Sequence, residues 1–223
     1  MAHIVAAIER PGTADLEAIA ALTPATLHEA QGRRGALDAR IKPIYPGMRL
    51  SGPALTVHCH AGDNLMLIAA LEVAEPGDVL VVAAGGRERQ GGFGEVLATA
   101  CRARGIAGLV MDAGVRDGAA LRAMDFPVFC PGLCVEGTVK ETLGTVNRPV
   151  VLGGALVEPG DVVNGDDDGV VVVRRDEVGE VVRAAVAREA KEAEIMAALR
   201  EGRSFLELSG IGEVLERKGC IRA

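Results

Sequence analysis

Residues Gly91 to Asp117, GGFGEVLATACRARGIAGLVMDAGVRD, constrain the fold more than any other segment, because they describe a turn, a helix, a strand and a second turn in unbroken succession. Gly91, Gly92 and Gly94 precede a run predicted to be helical from Glu95 to Arg104, with Val96, Leu97, Ala100 and Cys101 on its apolar face. Gly105 is the expected stop. A buried strand, Ile106 to Met111, follows. The chain then turns through Asp112-Ala113-Gly114 to Arg116-Asp117, where a short helix with Leu121 and Met124 on its apolar side can begin. Such a unit belongs in open α/β layers, whose ligands bind beyond the carboxyl ends of strands. The glycines are expected to adopt φ > 0 and to let a ligand approach. The helix start aims unpaired N–H groups at that ligand, which is therefore predicted to be an anion.

The rest of the chain alternates in the same way. Residues 1–39 read as two helical pieces broken near Thr23-Pro24, with Thr23 as N-cap and Pro24 at the first helical position. A strand at Ala54 to His60 leads to Asp63, the expected N-cap of a helix from Asn64 to Ala74. Glu75-Pro76-Gly77-Asp78 turns into the strand Val79 to Ala83. The same four letters, Glu158-Pro159-Gly160-Asp161, precede Val162-Val163, which predicts one turn design at two sheet edges. With a strand near Pro127 to Phe129 and short strands from Pro149 to Val173, the pattern predicts an α/β fold, a layered α-β-β-α sandwich with mixed sheets over residues 1–175, with the N-terminal helices packed on it. Four Phe and one Tyr leave the core to Val, Leu, Ile and Ala.

Composition narrows the function classes. The net charge of −7, with no basic run and no aromatic row, argues against a nucleic-acid partner. No apolar run approaches a membrane span, and MAHIVAAIERP does not read as an export signal. The cysteines, Cys59, Cys101, Cys130, Cys134 and Cys220, are odd in number and scattered, as expected of free thiols in the cytoplasm. Several constellations fail. Asn164, Asp166, Asp168 and Gly169 start like a calcium loop, but Arg175 stands where a bidentate glutamate is required. Neither a P-loop nor a dinucleotide fingerprint occurs. His58 and His60 share a strand face, where an inward histidine is usually satisfied locally.

Singly, the residues around the glycine turn have ordinary uses: Asp117 as an N-cap, Arg116 as a solvated charge, Glu95 as a first-turn acid. Together, Arg116 and Asp117 present opposite charges from one turn. The aspartate is a hard oxygen ligand for Mg²⁺ or Mn²⁺, and the arginine a bidentate clamp for a carboxylate or oxyanion.

GGFGEVLATACRARG, GLVMDAGVRD and VKETLGTVNRPVVLGGALVEPGDVVNGDDDGVVVV resemble the 4-carboxy-4-hydroxy-2-oxoadipate and 4-hydroxy-4-methyl-2-oxoglutarate aldolases, metal-dependent class II pyruvate aldolases of the RraA-like superfamily. HEAQGRRGALDARIKPI and GPALTVHCHAGDNLM extend the likeness over nearly the whole chain. The resemblance implies retro-aldol release of pyruvate, with oxaloacetate decarboxylation as a side activity, in the breakdown of aromatic compounds. It also implies Mg²⁺ or Mn²⁺ held directly by Asp117, and through water by Glu95 and by Glu192 of a neighbouring subunit. Substrate would rest on Gly91, Gly92, Phe93, Gly94, Glu95, Val96, Leu97 and Arg116, with Arg116 and Glu95 in catalysis, in a homo-oligomer, trimer or hexamer.

Residues 176–223 form the expected C-terminal helical extension. Val178, Val181, Val182, Ala185 and Val186 make an apolar stripe that runs on into Glu189, Glu192 and Met196. Those acids are either the solvated end of the helix or groups offered to a neighbour's site. Glu192 is the residue matched to the latter role, with Glu189 and Glu194 as alternatives. The same superfamily includes non-catalytic regulators of ribonucleases that share the Gly-Glu and Arg-Asp motifs but lack this extension. A dedicated oxaloacetate decarboxylase is the third reading.

Overall fold

The computed structural model describes residues 3–86 and 90–220; the extension predicted for 176–223 is followed to Cys220, residues 221–223 lying outside the described residues. Two helices open the chain, α1 (Thr13–Ala20) and α2 (Pro24–Ala30). Then come β1 (Lys42–Pro43), β2 (Leu50–His58), α3 (Leu65–Ala70), β3 (Val79–Ala83), α4 (Glu95–Ala103), β4 (Gly108–Met111), α5 (Gly118–Ala123) and β5 (Val128–Cys130). Short strands follow: β6 (Thr145–Val146), β7 (Val150–Leu152), β8 (Ala155–Val157), β9 (Val162–Asp166) and β10 (Gly169–Val173). The chain ends in α6 (Val178–Arg200), α7 (Phe205–Leu208) and α8 (Ile211–Arg217).

The main sheet runs β1-β5-β4-β3-β2-β9-β10, with β6 paired to the end of β2, while β7 and β8 form a separate hairpin. Strands β2, β3, β4 and β5 are parallel, and β9 and β10 are antiparallel additions. The sheet curls until its ends approach, and Lys42 Nζ of β1 donates to the Asp168 carbonyl before β10 at 2.6 Å. Two-residue alternation explains the layering. Leu80 and Val82 of β3, with Leu109 and Met111 of β4, pack under α3, α4 and α5. Val79, Val81, Val110, Phe129, Val163, Val170 and Val172 meet inside the curl. Val171 and Val173 face outward again, against Ile19, Leu27, Val178, Val181 and Ala185 of α1, α2 and α6. The α-β-β-α layers of the expected mixed sandwich are therefore present, as two halves of one nearly closed sheet.

Local signals behave as their chemistry dictates, with corrections. The Thr23 hydroxyl accepts from the Thr26 amide at 3.2 Å and Pro24 occupies the first turn of α2. Both EPGD turns close identically: Asp78 and Asp161 amides donate to the Glu75 and Glu158 carbonyls at 3.1 Å, and each aspartate accepts the glutamate amide at 2.9 Å. Gly77 and Gly160 stand at φ 90° and 86°. They do not mark sheet edges, however. They start β3 and β9, the two neighbours of β2 in the middle of the sheet. The strand expected from Ala54 begins at Leu50, because β9 extends its pairing to Leu50–Pro53. The helix expected from Asn64 to Ala74 closes at Ala70 and continues in tighter turns, with Leu71, Glu72 and Val73 amides bonded three residues back.

Candidate active site

Strands β3 and β4 end side by side, and the loops that leave them build a cleft of about 290 Å³ lined by Gly91–Gly94, Val96, Leu97, Arg116 and Asp117 and by Asn64, Ile68, Gly137, Thr138 and Lys140 from two other segments. The sequence unit therefore closes on itself as predicted: the glycine turn and the Arg-Asp turn are in contact. The Arg116 amide donates to the Phe93 carbonyl at 2.8 Å.

The glycines earn their place differently from the expectation. None of Gly91, Gly92 and Gly94 has positive φ; Gly94 is extended, at φ −166°. What they lack is room. A Cβ on Gly94 would sit 2.4 Å from Asp117 Oδ2, and one on Gly91 would sit 2.7 Å from the Cys134 carbonyl. The left-handed residue is Asp117 itself, at φ 59°. It stands at the N-cap position of α5 but makes no cap bond there. Its Oδ2 instead accepts from the Glu95 amide, the first of α4, at 3.1 Å. Asp117 thus caps a helix 22 residues earlier in the chain, which no local pattern announces. Its Oδ1 makes no hydrogen bond among the described residues. The Arg116 guanidinium also makes none; its Nε lies 3.7 Å from Asp117 Oδ2, and both side chains are near half exposure, at 49% and 40%.

Amides available to an anion lie further along the turn than the first glycines. Gly91 N–H is occupied by the Glu136 carbonyl at 2.8 Å, and Gly92 N–H by the Gln90 and Gly114 carbonyls at 3.0 and 3.1 Å. The Phe93, Gly94, Val96 and Leu97 amides make no hydrogen bond among the described residues. Val96 was expected on the buried face of α4; it is 79% exposed and borders the cleft, while Ala98 and Cys101 take the core positions. Glu95 is exposed beside it. Gly105 ends the helix at φ 73° as predicted, and Ile106 N–H bonds the Cys101 carbonyl at 3.0 Å.

Asn64, Thr138 and Lys140 escaped the sequence reading. They lie far from the Arg-Asp turn in the chain and carry no spacing signal. Asn64 Nδ2 donates to the Gly92 carbonyl at 2.9 Å, and its buried Oδ1 has no partner. Lys140 forms no ion pair among the described residues.

Glu192 is not among the residues lining this cleft. It stands on α6, 45% exposed, where Arg188 Nε reaches its Oε1 at 2.8 Å. The first half of α6 docks on α1 and α2 of its own chain through Val178, Val181 and Ala185, while Val186, expected in the same stripe, is exposed. Among the described residues no three His, Cys, Asp or Glu side chains cluster as a ready metal cage. Burial pushes the thiols of Cys59 and Cys130 up to about 11 and that of Cys101 up to about 12, so they stay protonated packing groups at neutral pH. No helix among the described residues is long and apolar enough to cross a membrane.

Residues 13–172 match the family model described as RraA-like, Aldolase/RraA. The chain belongs to the RraA-like family. A Halalkalibacterium halodurans protein named "Putative 4-hydroxy-4-methyl-2-oxoglutarate aldolase" is 36% identical over 156 residues, covering 70% of this chain and 74% of that protein. Among solved structures, RraAS2 of Streptomyces coelicolor, described as an unusual member of the RNase ES inhibitor RraA protein family, is 33% identical with a TM-score of 0.75, covering 84% of this chain and 98% of that one. An uncharacterized Pseudomonas syringae pv. tomato protein is 27% identical with a TM-score of 0.80, covering 91% and 96%. RraA-like relatives thus carry both an aldolase name and a ribonuclease-inhibitor name.

Proposed function

We propose that this RraA-like chain is a class II, metal-assisted lyase that splits a 4-hydroxy-2-oxo diacid, 4-carboxy-4-hydroxy-2-oxoadipate or 4-hydroxy-4-methyl-2-oxoglutarate, and releases pyruvate. One observation carries this reading. A single cleft gathers a carboxylate with a free oxygen, a guanidinium whose only partner among the described residues is that carboxylate at 3.7 Å, four amides without hydrogen bonds and a lysine, which is the donor set for an oxo acid charged at both ends. The name of the Halalkalibacterium relative supports the same class.

The residues fit a hard divalent cation that keeps most of its water, since Mg²⁺ is commonly held by one or two carboxylates. Asp117 Oδ1 would hold Mg²⁺ or Mn²⁺ directly, with Glu95 and Glu192 of a neighbouring copy acting through water. When bound, the cation supplies Lewis acidity to the 2-oxo group. The chain's own groups do the remainder. The amides of Phe93, Gly94, Val96 and Leu97 receive the 1-carboxylate at the start of α4, and Lys140 faces the far carboxylate. As the 4-hydroxyl proton passes through water to the Glu95 carboxylate, C4 becomes a carbonyl, the C3–C4 bond electrons pass to C3, and negative charge spreads to the 2-oxo oxygen, where Arg116 stabilises it. Return of that proton to C3 completes pyruvate. Decarboxylation of oxaloacetate develops the same charge and belongs to the same site.

The deciding assay is pyruvate release from 4-carboxy-4-hydroxy-2-oxoadipate by chelated protein, with and without Mg²⁺, beside a pulldown with ribonuclease. Metal-restored turnover supports the lyase. Ribonuclease capture without turnover supports the regulator reading, which the likeness to RraAS2 favours. Turnover of oxaloacetate alone marks a dedicated decarboxylase.

A second copy is expected to complete the site. Val135 is 91% exposed, and Leu133, Val139 and Leu143 on the same loop, with Val96 beside them, leave an apolar rim around the cleft of one chain. Mixing Asp117→Ala chains with Glu192→Ala chains, each strongly impaired alone, should restore part of the activity, because some interfaces pair both intact residues. Mixed assemblies that form, shown by differential tags, yet regain nothing would remove Glu192 from the site.

A further inference from the structure

Where β2 leaves the sheet, Asp63 is 3% exposed and has no cation within ion-pair distance among the described residues. Three backbone amides hold it instead. Its Oδ1 accepts from Leu65 at 2.8 Å, at the start of α3, and its Oδ2 accepts from Glu141 at 2.8 Å and Thr142 at 2.7 Å. The sequence expects Asp63 to cap α3, but Asn64 holds that position and Asp63, one residue before it, reaches only the first helical amide. The Glu141 and Thr142 bonds tie down a segment with little regular structure of its own, residues 138–142, which is also pinned by Asn64 N–H to the Val139 carbonyl at 3.1 Å and by Val139 N–H to the Gly62 carbonyl at 3.0 Å. That segment carries Thr138 and Lys140 into the cleft. The next residue, Asn64, holds the glycine turn through the Gly92 carbonyl. Two consecutive side chains therefore span two walls of one site.

We infer that Asp63 is a positioning residue for substrate: by clamping the Glu141 and Thr142 amides to the start of α3, it sets where Lys140 stands against the far carboxylate. The inference rests on the lyase reading for the identity of that carboxylate. A lysine ammonium is a point charge on a flexible stem, so its useful position depends on its backbone. Displacing a binding group by about 1 Å can cost about 10²-fold. Burial pushes the Asp63 carboxyl up, and the amides of Leu65, Glu141 and Thr142 more than reverse this, leaving it below the usual carboxylate value and charged near neutral pH.

The test compares Asp63→Asn, Lys140→Ala and the double variant in three readouts: amide hydrogen exchange at Glu141 and Thr142, steady-state kinetics, and calorimetric binding of oxaloacetate in the presence of Mg²⁺. Asp63→Asn should speed exchange at both amides and raise KM about tenfold, with kcat changed less than about threefold. Added to Lys140→Ala, it should weaken oxaloacetate binding by no more than about twofold, because the two residues act through one contact. Additive losses, or unaltered KM and binding in Asp63→Asn despite faster exchange, would overturn the inference. So would oxaloacetate affinity indifferent to Lys140→Ala, or no binding by the wild-type protein. If the wild type binds oxaloacetate through Lys140 and Asp63 but cleaves no 4-hydroxy-2-oxo diacid, the lyase reading fails and the positioning role stands. Should Asp63→Asn not fold, Asp63→Ser, whose hydroxyl retains the Leu65 bond and forfeits the other two, takes its place. Failure of both to fold makes Asp63 a folding residue and overturns the proposal.

Discussion

Asp117→Ala is expected to lower kcat for pyruvate release by about 10³-fold or more and to abolish its response to Mg²⁺, since several kcal/mol of transition-state charge stabilisation pass through a bound cation. The fold should survive. The substitution loses the bond to the Glu95 amide, a cap worth about 1 kcal/mol, and leaves a non-glycine residue at φ 59°, where alanine pays about 1–2 kcal/mol. Asp117→Asn separates the two effects. Asparagine tolerates the left-handed region and keeps an oxygen for the Glu95 amide, so its Tm should stay close to that of the wild type while activity falls as in the alanine variant. Turnover of Asp117→Asn within tenfold of the wild type would show that the carboxylate serves only as a cap.

Arg116→Lys is expected to lower kcat for aldol cleavage and for oxaloacetate decarboxylation together, by about 10²-fold, equivalent to about 2.7 kcal/mol. The guanidinium makes no hydrogen bond among the described residues, so little native structure depends on it. A lysine ammonium cannot reproduce its planar pair of donors. Both reactions place charge on the same 2-oxo oxygen, which is why they should fall in step. A loss confined to cleavage would move Arg116 to the leaving half of the substrate, and parallel kinetics with the two substrates decide between these outcomes.

The parts of the site legible in the sequence are those made by one continuous segment. The start of α4 at Glu95, its end before Gly105, β4 and the Arg116-Asp117 turn all follow from periodicity and stop residues within 27 positions of one another. Thr23-Pro24 and the two EPGD turns are read just as directly, because capping and turn closure act over a few bonds. Long-range placement is different in kind. Nothing near Asp117 predicts that it caps α4 rather than α5, and nothing near Lys140 predicts that Asp63, some 78 residues earlier than Glu141, anchors its segment. The centrality of β2 was hidden for the same reason: its flanking strands, β3 and β9, are brought together only by the sheet. Val96 was misplaced because a short helix at a cleft can expose one residue of an apolar pattern where a ligand or another chain supplies the cover.

The contact between Gly94 and Asp117 also limits how this cleft can diversify. Because Gly94 is extended, any residue could adopt its backbone shape, and what stands in the way is chiefly the Asp117 carboxylate, 2.4 Å from a Cβ there, with the flexible Arg116 side chain at 3.0 Å. The two positions therefore share one allotment of volume. A mutational library that varies Gly94 alone should return glycine almost exclusively, whereas one that also shortens residue 117 should admit alanine or serine at 94 while giving up the carboxylate. Routes to a new chemistry on this scaffold thus run through paired substitutions, with the ancestral reaction lost before the pocket can be reshaped.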